Sequence, residues 1–121
     1  MTHTTSLEIA ARLFNEKRYF ECHDQLEELW RDAHGEERIF LKGLISMSVG
    51  MYHVANCNHL GAVNLLSRGM IELQSFAPVR SGLDIATLLI RTDVCLYKSR
   101  LGVDAVPFKW EITDIPRMDF L

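Results

Sequence analysis

Proline stands only at positions 78, 107 and 116, so the first 77 residues lack the residue that most reliably stops a helix. Apolar side chains in that stretch recur every three to four positions rather than every second one, as in helices that bury one face. The expected fold is all-α: a compact single-domain bundle of about five helices, with a central apolar third helix and a packed extended C-terminal tail.

Local signals place the elements. Thr5 with Glu8 three residues later has the capping-box pattern and is expected to open the first helix. Leu7, Ala10, Ala11 and Phe14 share its face, and Lys17 and Arg18 close it. The second helix is expected from about Tyr19 to Ala33, striped by Cys22, Leu26, Leu29, Trp30 and Ala33, with Gly35 as a terminating glycine. The third, from about Glu36 to Ala55, is apolar nearly all round and should be covered by its neighbours. Its Gly43 and Gly50 share one face. Each costs about 1 kcal/mol of helix propensity, which suggests a close approach of another helix there. Asn58 is a plausible N-cap for a fourth helix carrying Leu60, Val63, Leu66, Met70 and Leu73. Pro78 to Gly82 reads as a loop, and Asp84 caps a fifth helix. The tail 102–121 holds Val103, Val106, Phe108, Trp110, Ile112, Ile115 and Phe120, too apolar to stay unpacked.

Composition narrows the function classes. With 121 residues, 48% of them hydrophobic, residues 1–121 suit one domain whose core needs neither metal nor disulfide. The 13 basic and 16 acidic residues give a net charge of −3, which argues against nucleic acid held by bulk charge. No apolar run has the length of a membrane span, and Met1 to Ser6 has no signal-peptide pattern. Cys22, Cys57 and Cys95 are odd in number and widely spaced, which fits reduced thiols in the cytoplasm. No nucleotide-binding motif occurs. Charge is segregated: Glu21 to Glu37 holds seven acids and only Arg31 as a base, whereas Arg38 to Arg100 holds seven bases and three acids. Solvated helix faces, or a surface that steers a partner, would both produce that pattern.

The stretch Tyr19 to Arg31 carries the candidate chemistry. At 100° per residue, Glu27 lies about 40° and Trp30 about 20° from His23 on either side, whereas Glu21, Gln25, Glu28 and Asp32 face away. Glu27 is thus expected to point inward and Glu28 outward. An inward carboxylate needs a partner, and His23 and Arg31 lie four residues to either side. His53 on the third helix shares a face with Val49 and Ser46. The expected polar site is therefore His23, Glu27, Trp30, Arg31 and His53. A structural network, a metal-free acid–base pocket and a divalent-metal site with His23, Glu27 and His53 as ligands all fit these residue types. His3, His34 and His59, near predicted termini and turns, read as solvated. Met47, Met51, Met70 and Trp110 read as core.

The run Phe20-Glu21-Cys22-His23-Asp24-Gln25-Leu26-Glu27-Glu28-Leu29-Trp30-Arg31 resembles the signature of the family called domain of unknown function 309. The likeness continues through Gly35-Glu36-Glu37-Arg38, Leu41-Lys42-Gly43-Leu44-Ile45, Tyr52-His53, Asn58, Gly61-Ala62, Leu65-Leu66 and Gly82-Leu83-Asp84, covering about 14–101. Asp24 and Lys42 depart from the pattern, where Glu and Gln are usual. The resemblance implies a small all-helical intracellular domain and assigns no reaction. The leading expectation is an interaction or scaffold module, with a protein partner or a second copy as occupant. The alternative is a small enzyme or divalent-metal protein using His23, Glu27 and His53.

Overall fold

The computed structural model describes residues 3–121, with side chains from Ser6 onward. Its helices are α1 (His3–Asn15), α2 (Tyr19–Arg31), α3 (Gly35–Ala55), α4 (His59–Leu73) and α5 (Ile85–Val103). α1 begins two residues before Thr5, so Thr5 does not open it; the side chain that would cap lies outside the described residues. Gly35 adopts φ +59° but does not terminate α2, which ends at Arg31 with Asp32 as its cap; the glycine is the first residue of α3. Asn58 Oδ1 accepts from Gly61 N at 3.0 Å and Asp84 Oδ1 from Thr87 N at 3.0 Å, so the caps of α4 and α5 stand as expected. The Pro78–Gly82 segment is more than a loop: β1 (Val79–Arg80) pairs antiparallel with β2 (Leu83–Asp84), turning at Ser81 and Gly82.

α3 is central. It packs on α2 through one face and α4 through another, while α1 covers α2 and α5 covers α4. Phe40, Leu41, Leu44, Met47 and Met51 of α3 are buried, with Phe14, Leu26, Leu66, Leu73 and Leu88 around them. Burying each such side chain contributes about 1.5–3 kcal/mol. α5 also reaches α3, where Cys95 Sγ meets Met51 Sδ at 3.8 Å and Thr92 Oγ1 meets Met47 Sδ at 3.7 Å.

Gly43 and Gly50 mark the α3–α4 seam. A Cβ at Gly43 would lie 2.6 Å from Leu73, and one at Gly50 would lie 2.7 Å from Leu66. The tail packs extended, interrupted by a 3-10 turn at Ile112–Asp114. Lys98 of α5 pairs with the buried Asp114 carboxylate, which also accepts from Glu111 N at 2.8 Å. The last residues lie beside the β1–β2 hairpin, with Leu83 bridged to Phe120.

Candidate functional site

The first turn of α2 and the last turns of α3 converge on one surface groove. Tyr19, Phe20 and His23 come from α2; Val49, Tyr52 and His53 come from α3. The cavity between them is about 240 Å³ and almost wholly apolar in lining. Phe20 is 59% exposed and Tyr52 43%, an unusual outlay of aromatic surface in water. His23, Phe20, Tyr52 and His53 form a continuous row of rings, with centroids 6.2, 6.1 and 6.2 Å apart in turn. Tyr19 floors the groove, edge-on to Phe14 at 5.3 Å.

Polar groups hold the two histidines at the rim. His23 Nε2 lies 3.4 Å from Glu27 Oε1 and its Nδ1 3.3 Å from Asp24 Oδ1, so both ring nitrogens face carboxylates. Asn58 Nδ2 donates to His53 Nδ1 at 3.2 Å while its oxygen caps α4. Gly61 admits this arrangement, because a Cβ there would lie 2.8 Å from the His53 ring.

The expected site is only partly assembled. Glu27 faces His23 as the spacing implied, but its side chain is 40% exposed and stands at the rim. Arg31 does not join it. Arg31 is 65% exposed and lies 3.9 Å from Glu28, because α2 ends there and nothing draws its long side chain inward. Trp30 is half-buried under a different cation: the Arg38 guanidinium lies 3.7 Å from the ring centroid and donates to Trp30 O at 3.1 Å. Arg38 thereby caps the C-terminal carbonyls of α2, where a cation suits the helix dipole.

The geometry does not favour the metal reading. Among the described residues, no group of three or more His, Cys, Asp or Glu side chains is placed to hold an ion. Both carboxylates sit at the His23 end, while His53 turns to Asn58 at the other end of the ring row. The solvated reading of His59 also fails. Its ring packs edge-on to Phe108 at 5.9 Å and tightly against Gly102, and its Nδ1 is buried without a partner. His3 lies outside the residues with described side chains.

Burial sets what the nearby acids can do. Desolvation first of all pushes the Tyr19 hydroxyl up to about 12, and the Cys22 thiol behind it also up to about 12. Both stay protonated and unreactive at neutral pH. The groove therefore offers apolar contact, two histidine edges and carboxylates at one rim, and no activated nucleophile.

Phe20 and Tyr52 were absent from the sequence-derived site. Their signal was available: on the helical wheel Phe20 falls beyond Glu27, away from the apolar stripe, where a large aromatic side chain must be exposed.

Residues 7–65 match the family model of DUF309, a domain of unknown function. The DUF309 stretch runs from α1 into the second turn of α4 and contains every residue of the groove. The hairpin, α5 and the tail lie beyond it. A stretch of 58 residues is 36% identical to the "Uncharacterized protein YpuF" of Bacillus subtilis (strain 168), covering 47% of this chain and 33% of that protein. The match thus spans about a third of the relative's length. Among the described residues no helix is long and apolar enough to cross a membrane.

Proposed function

We propose that this chain is one cytoplasmic helical domain that works as a protein-interaction module, with the α2–α3 groove as its docking face. The observation that carries the reading is the pair Phe20 and Tyr52, exposed and 6.1 Å apart beside an apolar cavity of about 240 Å³. Exposed aromatics at the centre of a concave apolar surface are what binding hot spots are made of. The cavity suits one aromatic or branched aliphatic side chain. At its His23 rim α2 presents Asp24 and Glu27, which favour lysine or arginine flanking that anchor. The partner read from this chemistry is a segment with one large apolar residue beside basic ones. His23, held by Asp24 and Glu27, acts as a fixed polar edge of the groove rather than as a proton carrier.

The test is an NMR titration with an amphipathic peptide of leucine and lysine as probe. Shift changes should gather on Phe20, His23, Val49, Tyr52 and His53. Phe20→Ala should weaken binding at least about tenfold, as hot-spot truncations do. Shifts spread evenly over the acidic surface, unchanged by Phe20→Ala, would refute the groove and leave only charge.

A further inference from the structure

α5 is apolar on two opposite faces. Leu88, Thr92, Cys95 and Ser99 turn to the core and are buried. Ile90, Val94, Tyr97 and Leu101 fall on the other side, within a sector of about 60° at 100° per residue. Ile90 is 67% exposed, Val94 39% and Tyr97 61%. A helix apolar all round is normally covered all round, as α3 is; α5 packs on α4 and keeps its outer stripe in water. The stripe is spaced four, three and four residues apart, the repeat of a helix that pairs along a seam. Its two flanks differ. Arg91 and Lys98 on one flank both turn to the tail: Arg91 Nη1 lies 3.5 Å from Ile115 O, while Lys98 pairs with Asp114 and donates to Lys109 O at 2.6 Å. Asp93 and Arg100 on the other flank are exposed two turns apart, and among the described residues neither has an ion-pair partner.

We propose that the outer stripe of α5 is the seam of a reversible dimer, with α5 of a second copy as its occupant, antiparallel and two-fold symmetric. The stripe is complementary to its own reverse. With the axis between Val94 and Tyr97, Ile90 of one copy meets Leu101 of the other and Val94 meets Tyr97, so every layer of the seam is apolar. The same axis sets Asp93 of each copy against Arg100 of the other, two attractive pairs. A parallel pair would instead oppose Asp93 to Lys98, whose charge Asp114 already neutralises, and would leave Arg100 without an acid. Charge thus selects both the second copy and the antiparallel sense, since an unrelated partner would not require Asp93 and Arg100 to match each other. From Ile90 to Leu101 the seam is only about 16 Å long. Such an interface is small, below about 1,200 Å² in total, and the dimer is accordingly weak and dependent on concentration.

The experiment is analytical ultracentrifugation of the full chain at low salt, from about 1 μM to about 1 mM protein, the range in which a small interface dissociates. The wild type should pass from monomer to dimer across that range. Val94→Glu puts a carboxylate into both central layers and should stay monomeric, with its helical circular dichroism unchanged. Asp93→Arg and Arg100→Asp should each weaken the dimer about fivefold or more, because both flank pairs become repulsive. Mixed in equal amounts, those two variants should recover the wild-type affinity as a heterodimer, since every flank pair is again opposite in sign. The charge variants alter only exposed flanks, so they decide the matter should Val94→Glu misfold. A wild type that is still monomeric at the highest concentration overturns the proposal. So does a dimer that survives Val94→Glu, or a pair of charge variants that do not rescue each other. Phe20→Ala, on α2, should leave the dimer intact, so this seam and the α2–α3 docking face stand or fall separately.

Discussion

Gly50→Ala should destabilise the protein although alanine is the better helix former. A Cβ at Gly50 lies 2.7 Å from Leu66 Cδ2, 2.9 Å from its Cγ and 3.1 Å from its backbone nitrogen. The leucine tip can rotate, but the nitrogen belongs to α4 and moves only with that helix. Propensity favours alanine by about 1 kcal/mol. Overpacking a dense interior costs about 1–3 kcal/mol. The difference leaves a net loss of roughly 1 kcal/mol for Gly50→Ala, and clearly more for Gly50→Leu. At Gly43 the three nearest atoms all belong to side chains, those of Leu73 and Glu72, so Gly43→Ala should cost less. Gly35→Ala should cost about 1 kcal/mol for another reason, its positive φ, since nothing lies within 4 Å of that Cβ. Urea melts of the three variants give the comparison. Gly50→Ala with Leu66→Ala should cost less than the sum of the two single changes, because removing the leucine tip relieves part of the clash. A higher midpoint for Gly50→Ala would refute the close α3–α4 approach.

Three further outcomes are expected. Cys57 is exposed while Cys22 and Cys95 are buried, so one thiol should react promptly with a thiol reagent and the other two only after unfolding; prompt reaction of all three would contradict the packing. Burial first of all raises the Cys22 and Cys95 thiols from 9.0 to about 12 and the Tyr19 hydroxyl from 10.0 to about 12, so the folded state holds these protons more tightly than the unfolded chain. Their contribution to stability is full below about pH 9 and is lost as pH rises toward 12; urea midpoints that stay flat across that window would be inconsistent with it. Lys98→Met should leave the Asp114 carboxylate unpaired and loosen the tail, lowering stability by about 2 kcal/mol, with a change in Trp110 fluorescence; an unaltered melt would show that the tail is held elsewhere.

The fold was legible because its signals are local. The proline-free stretch, the Asn58 and Asp84 caps and the paired glycines of α3 each specify backbone geometry within a turn or two. The hairpin escaped notice because its strands are two residues each, too short for any alternation to show. For the site, the helical wheel placed His23 beside Glu27 and set Glu28 outward, and both orientations hold. It could not give depth. Glu27 lies on the flank of the stripe, and whether a flank is buried depends on how far the neighbouring helix reaches. Arg31 failed for a related reason: four-residue spacing permits a pair, but at a helix end water competes and His23 already occupies Glu27. Arg38 over Trp30 and Asn15 bonded to the Met118 backbone join residues across a turn or across nearly the whole chain, so neither spacing nor periodicity could have revealed them.

The measurement that bears most directly on the interaction reading is site-specific photo-crosslinking in cells, with a photoreactive phenylalanine analogue in place of Phe20, of Tyr52, or of Ile90 on the outer face of α5. Ile90 is 67% exposed, which makes it a fair control for an apolar surface position. One discrete adduct should be shared by positions 20 and 52 and missing at 90, and its crosslinked peptide should carry a large apolar residue next to lysine or arginine. The same adducts at all three positions, or none at 20 and 52, would contradict the α2–α3 groove as the docking face.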